Sequence, residues 1–176
     1  MAYTRYRIRD STYPHLITSA IVQWLPIFRS QPRTEVILDS LRFLREEGSL
    51  RLHAYVVMED HIHLIVSSPD LSRNVRRFLS FTARQLVDHL TDSEETAHLR
   101  VLERNRLDSR KSHRYRVWRP GFHPQALLSD SMVDQKISYI HENPVRKGLV
   151  QRAEDWPYSS LAYLKGATHL PHVDIF

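Results

Sequence analysis

Two histidines flank an isoleucine in the stretch Met58-Glu59-Asp60-His61-Ile62-His63-Leu64-Ile65-Val66, at the start of an apolar run. In an extended strand side chains alternate between faces, so His61 and His63 point one way while Ile62, Leu64 and Val66 point the other. Two imidazoles on neighbouring same-face positions of a rigid element make a clamp for a divalent cation. The commoner use of such a pair involves no metal, only hydrogen bonding or partial exposure. A second constellation lies further along. At about 100° per residue on a helix, Val133, Ile137 and Ile140 cluster on one side, and Tyr139 and Asn143 lie together away from that cluster. A tyrosine at such an edge usually packs with its hydroxyl in water. Placed beside a metal held by His61 and His63, its phenolic oxygen could instead attack a phosphodiester. The Asn143 amide, one helical turn later, could then complete the coordination sphere.

Cysteine is absent from the 176 residues, which removes disulfides, thiolate zinc sites and cysteine nucleophiles and leaves His, carboxylate and amide ligands. A length of 176 with 41% hydrophobic residues suits a single globular domain spanning 1–176. No run approaches the length of a membrane span, and Met1 to Asp10 is charged without an apolar signal core. A cytoplasmic location and no membrane partner are therefore expected. The formal charge is +5, yet Leu99 to Arg119 alone carries a net +6. The basic character is thus local, and His113, Tyr115 and Trp118 within it are rings able to stack on bases. Nucleic-acid contact is the functional reading of this segment, and a solvated loop with scattered charge is the ordinary one.

The elements that must position these groups follow from periodicity. Tyr13 to Phe28 is rich in β-branched and aromatic residues and predicts a first strand, ended by Pro26. Thr34 is a candidate cap for a helix running to Glu47, with Gly48 beyond its end. Leu50, Leu52, Ala54, Val56 and Met58 alternate with Arg51, His53, Tyr55 and Val57, and Glu59-Asp60 turns the chain into a strand over His61 to Ser68. Ser72 opens a long helix from Arg73 to Leu90. A basic segment at about 91–114 shows no clear periodicity and is expected to be mobile. A short strand is predicted within Phe122 to Leu128, and a third helix from Ser131 to Glu142, capped by Ser129 or Asp130 and bounded by Pro144. Nothing in Pro171 to Phe176 obliges the tail to be ordered. The order β-α-β-β-α-β predicts an α+β fold. It is a ferredoxin-like sandwich with a central antiparallel sheet and an added C-terminal helix carrying Tyr139. The apolar side of the histidine strand should face the two early helices, leaving His61 and His63 on the opposite, functional face.

Three motifs in this order resemble one known family. They are Tyr55-Val56-Val57-Met58 with His61-Ile62-His63, then Tyr139-Ile140-His141-Glu142-Asn143-Pro144-Val145-Arg146-Lys147-Gly148-Leu149-Val150, then Trp156-Pro157-Tyr158-Ser159-Ser160. The chain resembles the REP-associated tyrosine transposases, within the HUH class of single-strand endonucleases that includes single-tyrosine transposases. The resemblance implies that Tyr139 is the nucleophile and that His61 and His63 are metal ligands. It also implies a substrate of single-stranded DNA carrying a hairpin derived from a palindromic repeat. Asn143 lies where related transposases place a third ligand on the tyrosine helix, with His141 as its competitor. The cofactor expected is Mg²⁺ or Mn²⁺, and the reaction a strand transfer through a 5′-phosphotyrosine intermediate. Arg5, Arg7 and Arg9, together with Arg110, Lys111, Arg114 and Arg116, are expected to contact phosphate or hairpin bases. Family resemblance implies a monomer, and a dimer stays open.

Rival readings differ in chemistry. A histidine-triad hydrolase needs a third histidine where Ile65 stands. A structural zinc site would have only scattered further histidines, including His123 and His141, and no cysteine. A catalytically silent nucleic-acid-binding module of ferredoxin-like fold is the serious alternative; it would bind through its sheet, need no metal and form no adduct. The Trp156 to Ser160 motif also has a plain use, docking the C-terminal segment on the core through its rings.

Overall fold

In the computed structural model, which describes residues 13–106, 114–122 and 124–174, four strands form one antiparallel sheet. They are β1 (His15–Ala20), β2 (Arg51–Val57), β3 (His61–Ser67) and β4 (Gln125–Ala126), ordered β2-β3-β1-β4. This is the ferredoxin-like arrangement expected from the element order. The helices α1 (Gln31–Glu46) and α2 (Leu71–Asp92) cover one face. There Ile17, Leu52, Tyr55, Val57, Ile62, Leu64 and Val66 meet Ile37, Leu41, Phe78 and Leu86. On the other face α4 (Asp130–His141) packs Val133 and Ile140 against Leu16, Ala54, Val56 and Ile65. Alternation along β3 therefore places its histidines on the α4 side.

Several boundaries differ from the sequence expectation for local reasons. The first strand ends at Ala20, and two 3-10 turns, Val22–Trp24 and Ile27–Arg29, carry the chain to α1. Thr34 lies inside α1, which begins at Gln31 with Pro32 in its first turn, where no backbone donor is required. The Thr34 hydroxyl instead donates to the Phe28 carbonyl. The long helix begins at Leu71, with Asp70 rather than Ser72 at its cap position. In β2 a bulge between Leu52 and Ala54 inserts His53, so Leu52 and Tyr55 share a face and the simple alternation over 50–58 breaks. A helix, α3 (Thr96–Arg104), stands within the segment read as aperiodic, anchored by the buried Leu102. The short strand expected within 122–128 is Gln125–Ala126, which pairs with His15 and Leu16. Upstream of it Trp118 makes an isolated bridge to Ile21, and the turn at Pro120, which lacks a donor, and Gly121, at φ 77°, separates the two.

Ser129 caps α4 by accepting from the Met132 amide. Pro144 does not stop the helical course; it falls in the first turn of α5 (Asn143–Arg146), so the backbone continues helically past Asn143. The C-terminal segment then closes the outer edge of β2. Tyr158 O accepts from Val57 N at 2.9 Å, and the Trp156 indole donates to Val57 O at 2.9 Å. The tail is also engaged: Asp174 N donates to Leu52 O, its carboxylate accepts from Leu52 N and Arg45, and Val173 is buried.

One hydroxyl joins three of these elements. Ser160, at the start of α6 (Ser160–Leu164), accepts from Tyr55 N at 3.0 Å and donates to Tyr55 O at 3.2 Å. Its oxygen also lies 2.7 Å from His141 Nε2, which can donate to it from the last turn of α4. Ser160→Ala would leave buried donors unpaired, and should cost about 1–3 kcal/mol of unfolding free energy in denaturant titrations. Burial pushes the His141 imidazole down to about 4. The unfolded chain therefore binds more protons between its ordinary value near 6.5 and about 4, and stability is lost as pH falls through that window. At pH 5 the loss from His141 should be on the order of 1–2 kcal/mol relative to pH 7. A His141→Gln variant should show a correspondingly flatter dependence, and an unaltered one would refute the assignment.

Candidate active site

Strand β3 brings the His61 and His63 rings to a centroid separation of 4.9 Å, both buried. Each is anchored through Nδ1. The Asp60 carboxylate accepts from His61 Nδ1–H. Thr18, the cross-strand partner of His63, places Oγ1 2.7 Å from His63 Nδ1. A carboxylate only accepts, so the neutral tautomer of His61 that this contact selects carries its proton on Nδ1 and its lone pair on Nε2. For His63, the tautomer that donates to the Thr18 hydroxyl leaves Nε2 in the same condition. Neither Nε2 has a hydrogen-bond partner among the described residues. Such outer contacts are how proteins orient metal-binding imidazoles. Burial, reinforced by neighbouring His61, pushes His63 down to about 3, so it is neutral at physiological pH, as a ligand must be.

Helix α4 sets Tyr139 over this pair. Its ring lies 6.0 Å from that of His63 at an interplanar angle of 73°, and the residue is 38% exposed. Two cations flank the phenol ring, the Arg146 guanidinium at 4.9 Å and the Lys136 ammonium at 5.6 Å from its centroid. Positions 136, 139, 143 and 146 recur at helical spacing and share one side of the α4–α5 course. Asn143 is buried there, and its Nδ2 meets no partner among the described residues. A half-turn of the amide would present its oxygen instead. His141 is committed elsewhere, to Ser160. No three His, Cys, Asp or Glu side chains among the described residues group closely enough to hold a metal by themselves. The donors that could hold one here are thus the two Nε2 atoms, and the buried Asn143 amide stands about one helical turn beyond Tyr139.

The expected DNA contacts divide. Arg5, Arg7, Arg9, Arg110 and Lys111, like His113 and His123, lie outside the described residues. Arg114 pairs with Glu103 at 3.1 Å and lies over the Tyr115 ring. Arg116 is half-buried, its amide donating to Leu102 O. Trp118, expected as a stacking ring, is a core residue: it is 8% exposed, its indole donating to Thr82 and packing beside Phe28. The site also holds residues to which sequence reading gave no role, namely Thr18, Asp60, Lys136, Arg146 and Trp24. Adjacency to His61 could have flagged Asp60, and helical spacing from Tyr139 could have flagged Lys136 and Arg146. Trp24, whose ring stands edge-on to His61 at 6.0 Å, carries no such signal.

No family model matches the chain. A Haemophilus influenzae protein assigned as a REP-associated tyrosine transposase is 29% identical over 107 residues, which cover 61% of this chain and 56% of that protein. The chain thus spans little more than half the length of that relative. The REP-associated tyrosine transposase of Escherichia coli K12 is 23% identical over 161 residues, 90% of this chain and 81% of its own. Among solved structures, a REP-associated tyrosine transposase bound to a REP hairpin shares the fold. Its TM-score is 0.66 at 19% identity, with 100% of this chain and 94% of that one covered. No helix among the described residues is long and apolar enough to cross a membrane. In sequence the chain is thus similar to two REP-associated tyrosine transposases, and in fold to a third.

Proposed function

We propose that the chain is a metal-dependent, single-stranded DNA endonuclease and strand transferase, a cytoplasmic transposase acting on hairpin-forming palindromic repeats. The observation that carries this reading is the half-exposed Tyr139 ring 6.0 Å from His63, above two imidazoles whose Nε2 atoms are uncommitted. Tyr139 attacks the phosphorus; the bond to the 3′-oxygen breaks, the phosphoryl group stays on the tyrosine as a 5′-phosphotyrosyl diester, and the phenolic proton passes to water. The released 3′-oxygen leaves as a hydroxyl that can later attack the diester and rejoin strands without ATP. A Mg²⁺ or Mn²⁺ held by His61 and His63, with Asn143, would polarise a non-bridging phosphate oxygen. Nitrogen ligands favour Mn²⁺ of the two. Arg146 and Lys136 hold positive charge beside the phenol, where phosphate must approach. A single nucleophile holds one strand at a time, so transfer proceeds in sequential steps or with a second subunit.

One observation weighs against the silent-module alternative. The sheet face that would stack bases is packed by α4 through Val133 and Ile140.

The test is a denaturing gel with end-labelled single-stranded hairpin DNA. Tyr139→Phe should bind the DNA and form no covalent adduct, whereas an adduct in that variant would sink the nucleophile assignment. His61→Ala or His63→Ala should lower cleavage at least about 100-fold. Undiminished cleavage in EDTA would overturn the metal site. Removing charge at Arg114 and Arg116 should flatten the salt dependence of binding, by about one unit of slope for each phosphate no longer neutralised. An unchanged slope would return both residues to ordinary surface.

A further inference from the structure

The backbone beside the histidines is strained in one place. Gln23 and Trp24 both stand at φ 55°, a conformation costly for a non-glycine residue and most unusual for a bulky one. The surroundings hold them there. Ile21 N bonds to Asp60 O at 2.8 Å and Val22 N to Val117 O at 2.9 Å, and the Gln23 amide donates to Asn105 at 3.1 Å. The result turns an indole outward, 52% exposed, with the His61 ring edge-on at 6.0 Å. Among the described residues the other aromatic rings more than half exposed, Phe43 and Phe81, lie on helices of the opposite sheet face.

The same pairing supplies a cation. Arg119 N donates to Ala20 O at 2.8 Å, which fixes the residue beside the end of β1, and its guanidinium lies 4.8 Å from the Trp24 ring centroid. An exposed indole with an arginine over it is a surface suited to a flat, electron-rich, anion-linked group. A nucleobase of an unpaired strand is such a group, and stacking on an aromatic face needs no particular base. The neighbouring His61 specifies which one. A strand whose phosphate lies at His61 and His63 runs directly past the indole.

We propose that Trp24 and Arg119 form a stacking platform for one unpaired base of the single strand next to the scissile phosphate. The platform holds that strand in register for Tyr139. This rests on the single-stranded DNA reading above, and the strain at positions 23 and 24 is the backbone cost of presenting the ring. Trp24 acts as a positioning residue for the strand.

The experiment measures binding of labelled hairpin DNA with a single-stranded flank to the full chain, as wild type, Trp24→Ala, Trp24→Phe and Arg119→Ala. An abasic nucleotide is walked along the flank. Trp24→Ala should weaken binding about 5- to 150-fold, and Trp24→Phe should restore most of it. At one flank position the abasic lesion should weaken wild type by a similar factor and leave Trp24→Ala unaffected. A 2-aminopurine at that position should be quenched by wild-type protein, a readout independent of whether Trp24→Ala folds. Equal abasic penalties in wild type and Trp24→Ala, or no quenching anywhere on the flank, would overturn the platform even where the Tyr139 adduct forms. Coupling without any adduct would uphold the platform and refute the nuclease. Failure of wild type to bind any single strand would overturn both.

Discussion

A strand repeats every two residues, and that constraint governs the rest of the molecule. Because β3 presents Ile62, Leu64 and Val66 to α1 and α2, it must present His61, His63 and Ile65 to the other side. That second side is too apolar to leave in water, so a further helix has to cover it. The helix that does so, α4, carries Tyr139 at the margin of its buried stripe. Core packing and the geometry of the candidate site are therefore set by the same contact. Ile140 buries against the sheet, and its neighbour Tyr139 is left over the histidines.

The polar scaffold follows the same logic. Imidazoles placed by a strand still rotate about two bonds, and Asp60 and Thr18 restrict that rotation through Nδ1. The far end of the tyrosine helix is fixed by His141 and Ser160 onto the backbone of Tyr55 in β2. The motif around Trp156 to Ser160 thus touches no reacting atom in this arrangement. It holds the helix that carries Tyr139.

Much of this was legible in the sequence because it depends on local period and capping. The histidine alternation, the two-strand hairpin, the Ser129 cap and the shared side of Tyr139 and Asn143 all follow from spacing. What was not legible depends on contacts distant in the chain. The bulge at His53 leaves no trace in residue types, and α3 offers only Leu102 as a buried residue within an arginine-rich stretch. Composition also cannot tell a buried indole from an exposed one. Trp118 lies in the basic segment yet is buried against Thr82, whereas Trp24 lies in an apolar run and is turned outward by two residues with positive φ.

The edges of the sheet carry a consequence of their own. An unpaired strand edge is a template on which another chain can add. Here the outer side of β2 is occupied at one end by Asp174 and at the other by Tyr158, and the opposite edge strand, β4, is two residues long. The tail therefore works as a selvedge, finishing the woven border so that the sheet neither unravels nor accepts another thread. The border in this way keeps the protein's own strands from pairing with a neighbour's.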